Sequence, residues 1–231
     1  MAREAPRKRV LHEAVQIDNG VIVLDADLRV PDRVAGLVIF AHGSGSSRFS
    51  RRNRAVAAVL EDASFATLLL DLLTREEELA DEVTREYRFD IDLLARRVVS
   101  AADWAQDRPD LRALPVALFG ASTGAAAALI AAAERPRVTR AVISRGGRPD
   151  LADAALPRVQ APTLLIVGEH DEPVIEMNRD AMLRMKIPVD LQIVPGATHL
   201  FEEPGAIEHV ARLAADWCRR HLKAGARVER A

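Results

Sequence analysis

Six short runs of apolar residues recur along this chain, and longer segments with helical periodicity separate them. The runs span residues 37–41, 66–73, 116–119, 141–144, 163–167 and 191–194. An apolar run this short, without polar residues in alternation, is typical of a β-strand that is buried on both faces, as in a parallel sheet. Because such strands alternate here with helical segments, the sequence predicts a doubly wound α/β fold with a mostly parallel sheet.

The helical segments carry apolar residues at spacings of three and four. This spacing is clear in residues 207–218 and in residues 91–102, where Asp90 stands at the position of an N-cap. Residues 123–133 are almost all small and apolar, which predicts a helix packed tightly against the sheet. Residues 75–88 are highly charged and lack a clear apolar face, so we interpret them as a solvated surface loop rather than a short lid.

The N-terminal part of the chain carries a different strand signal. Residues 13–30 contain Asn19-Gly20 between two β-prone stretches, which is a strong signal for a β-hairpin. We therefore expect the sheet to begin with an antiparallel pair. The length suits one domain, so we assign residues 1–231 to a single domain and expect residues 1–9 to be disordered.

Composition argues against several classes of partner. With 32 basic and 34 acidic residues, the net charge of −2 gives no reason to expect nucleic acid or an anionic membrane. The single cysteine, Cys218, cannot form an internal disulfide, which fits a reducing compartment. Residues 1–9 are basic but no apolar segment follows them, and no run of about 18 apolar residues exists, so we expect neither a secretory signal nor a membrane span. The sequence therefore predicts a cytoplasmic protein.

A pentapeptide of the form G-x-S-x-G, residues 120–124, joins the strand signal at 116–119 to the helix signal at 123–133. A strand that turns sharply into a helix at a serine is the setting of a nucleophile elbow, where flanking glycines avoid a Cβ clash and the hydroxyl is exposed above the sheet. The helix N-terminus behind the serine favours developing negative charge. We therefore predict that Ser122 is a nucleophile, with a plain tight turn as the alternative.

A serine nucleophile needs a base to take its proton, and the base needs a carboxylate to orient it. Among six histidines, His199 follows the last strand signal, which brings it to the same carboxyl edge as Ser122. Asp171 follows the preceding strand signal, and the chain order Ser, Asp, His is known for hydrolases with this kind of elbow. Glu169 and Glu172 are alternatives for the orienting acid, and we prefer Asp171.

Residues 42–46, His-Gly-Ser-Gly-Ser, follow the first buried strand signal and are similar to loops that donate a backbone N–H to an oxyanion. The second donor would be the N–H of Thr123, the residue after the nucleophile. For the first donor, Ser44 and Gly45 remain alternatives. A phosphate-binding loop is another interpretation of the two glycines, but these residues match neither G-x-x-x-x-G-K-[ST] nor G-x-G-x-x-G.

Together these motifs resemble the α/β-hydrolase superfamily and, within it, the dienelactone-hydrolase-like proteins. The resemblance runs from residue 37 to the C-terminal helical segment and rests on residues 42–48, 70–74, 120–124, 168–171 and 196–199. It implies a hydrolase that cleaves carboxylic esters or lactones of small molecules and needs no metal or organic cofactor. Founding dienelactone hydrolases use a cysteine in a G-x-C-x-G-G elbow, whereas this chain has Ser122, and Ala125 in place of the last glycine. That departure bears on lactone specificity rather than on the acyl-transfer chemistry.

Arginines crowd two segments that leave the carboxyl edge of the predicted sheet, residues 48–54 and 145–148. Ligands bind at this edge in open α/β folds, and a guanidinium suits a carboxylate or a phosphate. We hypothesise that Arg48 or Arg145 binds an anionic group on the substrate. A solvated basic face is the alternative, and it is the one that we prefer on the sequence.

Two other functions would use the same residues. The triad would also serve acyl transfer to another acceptor or the formation of a peracid. A non-catalytic protein of the same fold would only bind a small molecule or a protein partner. The sequence leaves the oligomeric state open, a homodimer included.

Overall fold

The computed structural model describes residues 10–222, which form one eight-stranded sheet with helices on both faces. The strands are β1 (Val10–Asp18), β2 (Val23–Pro31), β3 (Leu37–Ala41), β4 (Ala66–Leu70), β5 (Val116–Ala121), β6 (Thr139–Arg145), β7 (Thr163–Gly168) and β8 (Val189–Val194). Their order across the sheet is β1-β2-β4-β3-β5-β6-β7-β8. β2 pairs antiparallel with β1 and with β4, and all other neighbours are parallel. This confirms the predicted mostly parallel sheet with an antiparallel N-terminal pair. Residues 1–9, which we expect to be disordered, lie outside the described residues.

Each of the six predicted apolar runs overlaps a strand, and β4 is the strand that ends well before its predicted end. It ends at Leu70, before the predicted end at residue 73. The N–H of Asp71 still donates to a carbonyl of β2, but the N–H of Leu72 donates to Nε2 of His42 at 3.0 Å. A histidine side chain thus takes the place of a strand neighbour, because β3 has already ended at this level of the sheet.

The helices cover the sheet in two layers. α1 (Arg51–Asp62) and α6 (Ala206–His221) pack on one face, whereas α3 (Ile91–Asp107), α4 (Thr123–Glu134) and α5 (Glu172–Arg184) pack on the other. α4 is buried at every position from Thr123 to Ala132, as its alanine-rich sequence predicts, and the side chain of Asp90 caps α3 as expected. In the part of the chain that the structure describes, none of the helices is long and apolar enough to cross a membrane. The described residues also contain α2 (Arg75–Thr84) and 3₁₀ segments at Tyr87–Phe89 and Pro149–Arg158.

The charged segment 75–88, which we interpret as a surface loop from the sequence, is mostly the helix α2. The hydroxyl of Thr74 accepts the N–H of Glu77 at 3.2 Å, and the Glu77 carboxylate accepts the N–H of Thr74 at 2.8 Å. Glu77 also accepts a hydrogen bond of 2.6 Å from Arg97 of α3, which ties the helix to the body of the fold. The loop interpretation is wrong because this capping box provides hydrogen-bond acceptors for the unpaired N–H groups at the start of the helix, which stabilises a helix that has little apolar surface.

Candidate active site

The carboxyl ends of β5, β7 and β8 bring the three predicted catalytic residues to one edge of the sheet. Ser122 follows β5, Asp171 follows β7, and His199 lies in the loop after β8. β3 and β5 are neighbours, yet the chain runs from β3 to β4 on one side and from β5 to β6 on the other. Ligands in open α/β sheets bind at such a reversal of strand order. The site therefore lies where the topology opens a crevice.

The backbone of Ser122 adopts a strained conformation, with φ of 50° and ψ of −121°. A Cβ on Gly120 would lie 2.3 Å from the Cα of Ala125, and a Cβ on Gly124 would lie 2.4 Å from backbone oxygens of residues 41 and 42. Both flanking positions of the elbow therefore require glycine. Hydrogen bonds hold the turn in place, since Ser122 donates its N–H to the carbonyl of Arg145 at 3.2 Å and its own carbonyl accepts the N–H of Arg148 at 3.1 Å. Such strain is typical of functional sites.

His199 and Asp171 are joined by a short hydrogen bond. Nδ1 of His199 lies 2.6 Å from Oδ2 of Asp171, and the Asp171 side chain is only 13% exposed. The two competing carboxylates are elsewhere: Glu169 accepts the backbone N–H of Gly196 at 2.7 Å, and Glu172 is exposed in the first turn of α5. The structure thus brings Asp171, rather than either glutamate, to the imidazole.

The loop that carries His199 is braced on both sides. The N–H and the hydroxyl of Thr198 both donate to Oε1 of Glu203, at 3.1 and 2.6 Å. These bonds, the one from the hydroxyl above all, hold the pKa of Glu203 below its usual range. Phe201, in the left-handed region with φ of 53°, is buried below the loop. The position of His199 therefore depends on several contacts outside the triad.

Ser122 and His199 open into the same cavity, which has a volume of about 270 Å³. Its wall includes the loop after β3, the start of α1 and the end of β6. The other lining residues are Gly43, Ser44, Ser46, Ser50, Arg52, Ala121, Arg145 and Leu200. A second cavity of about 210 Å³ lies across the loop 43–46 and is lined partly by leucines and by the acidic face of α2. The loop after β3 is therefore shared by two chambers of different character.

The candidate oxyanion donors lie next to Ser122. The backbone N–H of Ser44 donates to the hydroxyl of Thr123 at 3.0 Å. Gly43 approaches so closely that a Cβ there would lie 3.1 Å from Cβ of Ser122. Ser44 lines the cavity of Ser122, whereas Gly45 lines only the neighbouring chamber. Of the two alternatives for the first donor, the structure brings Ser44 to the site.

His42 supports this loop from below, a role that its place in the His-Gly motif does not reveal. Its Nδ1 lies 2.9 Å from the carbonyl oxygen of Gly43, and its Nε2 accepts the N–H of Leu72 at 3.0 Å. Nε2 can accept only when it carries no proton, so the imidazole is neutral with its proton on Nδ1. Burial lowers the pKa of His42 and keeps it in this form.

The two arginines that we considered for anion binding have different surroundings. Arg48 lies outside the cavity of Ser122, and its guanidinium contacts Asp71 and forms longer ion pairs with Asp25 and Asp27. The charge of Arg48 is thus neutralised by the protein itself.

Arg145 lines the cavity and is only 7% exposed. Arg52 also lines the cavity, which the sequence does not reveal. Burial, with a smaller effect of the nearby Arg52 charge, lowers the pKa of Arg145 to about 10, so it stays cationic at neutral pH.

Comparisons with known proteins relate this chain to one family. The model of the dienelactone hydrolase family matches residues 24–224. The solved dienelactone hydrolase from Anabaena variabilis is 56% identical, with a TM-score of 0.91, and the match covers 93% of this chain and 99% of that one. The Est1E structure from Butyrivibrio proteoclasticus is 19% identical, with a TM-score of 0.73 over 90% of this chain and 98% of its own, which shows a shared fold.

Two curated proteins of Mycobacterium tuberculosis are also similar, and they carry the provisional name phosphoribosyl transferase. Each is 56% identical over 211 residues, which is 91% of this chain and 46% of theirs. The chain therefore spans about half the length of the curated relatives that it matches.

Proposed function

This chain belongs to the dienelactone hydrolase family, and we propose that it is a serine hydrolase that cleaves a carboxylic ester or lactone of a small molecule. The observation that carries the proposal is the 2.6 Å hydrogen bond between His199 and Asp171 beside the cavity into which Ser122 opens. A hydroxyl on a strained elbow, an imidazole and a largely buried carboxylate are the parts of an acyl-transfer triad, and along the chain their residues stand in the order Ser, Asp, His.

The roles of the triad follow from the hydrogen bonds. Because Nδ1 of His199 is bonded to Asp171, Nε2 is the nitrogen left to take the hydroxyl proton of Ser122. The oxygen then attacks the acyl carbon, and the imidazolium returns the proton to the departing alcohol. Asp171 keeps the ring in the correct tautomer and stabilises its positive charge. Water attacks the acyl-enzyme by the same route and releases the acid.

Two backbone donors are proposed for the oxyanion. The N–H of Thr123 is in the first turn of α4, where N–H groups have no partner within the helix, and the N–H of Ser44 comes from the facing loop. The N-terminal end of α4 adds a favourable dipole. The hydroxyl of Thr123 accepts the Ser44 N–H, and a substrate oxygen would share or replace that acceptor.

The same triad would support acyl transfer to an alcohol or to hydrogen peroxide, and adding either acceptor to the assay separates these reactions from hydrolysis by their products. The transferase name of the mycobacterial relatives describes proteins about twice as long as the match. We infer that phosphoribosyl transfer belongs to the part of those proteins outside it.

Intact-mass spectrometry after treatment with a neutral fluorophosphonate tests the proposal. We expect one adduct on the wild type and none on Ser122→Ala. Ser46→Ala is the matched control, because Ser46 lines the same cavity and should leave labelling intact. A folded wild type that remains unlabelled, or a Ser122→Ala variant that is still labelled, would contradict the proposal and favour a non-catalytic binding protein.

A further inference from the structure

We propose that the acyl part of the substrate is a short, uncharged aliphatic chain, and that this chain lies in the second cavity, across the loop 43–46. The proposal rests on the hydrolase function proposed above and adds the class of substrate to it. The second cavity has a volume of about 210 Å³, and Leu72, Leu73 and Leu94 form its apolar wall, so we call it the leucine chamber.

The chemistry of acyl transfer gives each part of the ester a side. In the tetrahedral intermediate the acyl carbon carries the oxygen of Ser122, the oxyanion, the departing oxygen and the acyl chain. The departing oxygen lies next to the imidazole that protonates it. His199 lines the cavity of Ser122 and does not line the leucine chamber. The alcohol part therefore stays on the side of His199, and the acyl chain points away from it, past the loop that donates an N–H to the oxyanion.

The loop after β3 forms a wall of both cavities. Gly43, Ser44 and Ser46 line the cavity of Ser122 and also the leucine chamber. Gly45, with φ of 68°, lines the leucine chamber, and a Cβ there would lie 3.6 Å from the guanidinium of Arg88. An acyl chain that starts at Ser122 and passes this loop therefore enters the leucine chamber directly.

The buried polar groups in the wall of the leucine chamber already have partners. The carboxylate of Asp81 accepts the N–H of Tyr87 at 2.9 Å and the N–H of Arg88 at 3.0 Å, and it also accepts a hydrogen bond from the Arg88 side chain. Both ring nitrogens of His42 are bonded as well. Among the described residues that line the chamber, none has a buried side-chain nitrogen or oxygen without a partner. An occupant therefore gains from burying apolar surface rather than from new hydrogen bonds.

Two glutamates at the rim bear on the charge of the occupant. Glu78 and Glu82 are one turn apart on α2, line the chamber and are exposed. Within residues 10–222 neither forms an ion pair with a basic side chain, so their charges repel a carboxylate at the end of an acyl chain. The one buried acid, Asp81, is already paired with Arg88, so the chamber offers no buried acceptor to a cationic chain either. An uncharged chain fits best.

The volume of the chamber limits the length of the chain. An apolar cavity of about 150 Å³ holds benzene, so the leucine chamber should take a chain of roughly six carbon atoms. Each methylene group buried there should raise kcat/KM by about fourfold. The rate should therefore rise with chain length and fall once the chain is longer than the chamber.

The first test measures kcat/KM for p-nitrophenyl acetate, butyrate, hexanoate and decanoate, which share one leaving group. We expect a rise of at least about tenfold from acetate to hexanoate and a fall at decanoate. Leu73→Trp places a bulky ring at the half-buried wall of the chamber and should abolish the rise, so that acetate or butyrate becomes the best substrate. Leu79→Trp is the matched control and should keep the wild-type profile, because Leu79 is an exposed leucine of α2 that does not line the chamber.

The second test locates the chain and depends on no variant. Ethyl hexylphosphonofluoridate forms a bond from its phosphorus to Oγ of Ser122 and loses fluoride, which leaves a hexyl chain in the place of the acyl chain. In the crystal structure of this adduct the hexyl chain should lie between Leu73 and Leu94. A hexyl chain that lies against Arg52 and Leu200, on the side of His199, would overturn the proposal.

The third test concerns charge and uses p-nitrophenyl esters of six-carbon acids: hexanoate, the monoester of adipate, and 6-aminohexanoate. The wild type should prefer hexanoate. Replacing both Glu78 and Glu82 by glutamine should improve the adipate ester relative to hexanoate by about threefold or more. Replacing Glu76 and Glu86 by glutamine removes the same charge from exposed residues that do not line the chamber, and it should leave the ratio unchanged. A wild type that prefers either charged ester overturns the uncharged class.

The outcomes keep the two proposals apart. Fluorophosphonate labelling of Ser122 together with a flat chain-length profile, or equal profiles for Leu73→Trp and Leu79→Trp, overturns the leucine chamber and leaves the hydrolase intact. A folded protein that is neither labelled nor active on any of these esters overturns both.

Discussion

The backbone N–H of Ser44 and the side-chain hydroxyl of Thr123 are hydrogen-bonded at 3.0 Å, across the gap between the loop after β3 and the first turn of α4. In the proposed mechanism Thr123 would therefore have two functions: it would donate its own N–H to the oxyanion, and its hydroxyl would fix the direction of the facing N–H of Ser44. The same loop is held from below by His42, so its position is determined by side chains on both sides.

Thr123→Val tests this coupling. The valine keeps the shape of the threonine but removes the acceptor, which frees the loop of Ser44 to shift. We expect kcat for a neutral ester to fall by about tenfold or more, because misplacing an oxyanion donor costs less than the 100- to 1,000-fold of losing one. Thr123→Ser keeps the hydroxyl and is the control. Equal kcat in both variants and in the wild type would mean that the hydroxyl has no positioning role.

Asp171→Asn should lower kcat by about 10³- to 10⁴-fold with little change in KM, since an amide at this place favours the wrong imidazole tautomer. Steady-state kinetics on a p-nitrophenyl ester measures the effect. Glu169→Gln serves as the control, because the Glu169 carboxylate is bonded to the N–H of Gly196 instead. If the two variants lose activity equally, Asp171 is not the orienting acid.

The pH dependence of stability should contain a contribution from His42. Burial holds the pKa of His42 in the folded state below its ordinary value of 6.5. At pH values below about 6.5 the unfolded state therefore binds more protons at this residue than the folded state does. The contribution of the neutral His42 to the free energy of unfolding is therefore fully present above pH 6.5, and it is lost as the pH falls through 6.5 towards the folded-state pKa. The slope from this one group is at most about 1.4 kcal/mol per pH unit.

Urea unfolding of the wild type and of His42→Gln between pH 5 and pH 8 (about one and a half units to either side of an ordinary histidine pKa) measures this contribution as the difference between the two pH profiles. The wild type should lose more stability than the variant on the acidic side. Parallel profiles for wild type and His42→Gln would show that the imidazole is not held neutral by the fold.

The capping box of α2 offers a graded test of stability. Thr74→Ala removes only the cap and should lower the free energy of unfolding by about 1 kcal/mol. Glu77→Ala also leaves the buried Arg97 without its carboxylate and should cost about 3 kcal/mol. Adding Arg97→Met to Glu77→Ala should recover part of that loss, because it removes the unpaired charge. Denaturant unfolding of the three variants checks the order, and an equal cost for Thr74→Ala and Glu77→Ala would contradict it.

The sequence predicts the sheet and the meeting of Ser122, Asp171 and His199 for one physical reason. Strands buried on both faces appear as uninterrupted apolar runs, and residues that follow parallel strands share one edge. The helix α2 is missed because its stability comes from a cap rather than an apolar face, although the signal Thr74-x-x-Glu77 stands in the sequence.

The choice between the arginines could not be made from the sequence. The carboxylates that neutralise Arg48 come from β2 and from the end of β4, far away along the chain. Which arginine of the segment 48–54 faces the cavity depends on where α1 begins and how it turns. The helix brings Arg52, and not Arg48, to the cavity wall. Local sequence patterns do not show which charges pair over long distances along the chain. The sequence hypothesis therefore does not choose between Arg145 and Arg48.

We also predict that replacing Arg145 raises stability, whereas replacing a buried residue ordinarily lowers it. Because its charge has no carboxylate partner among the described residues, Arg145→Met should raise the free energy of unfolding by about 1 kcal/mol. Arg97→Met should do the opposite, since it breaks an existing bond to Glu77. Thermal unfolding of both variants gives the comparison. A loss of stability in Arg145→Met equal to that in Arg97→Met would mean that Arg145 is compensated within the fold.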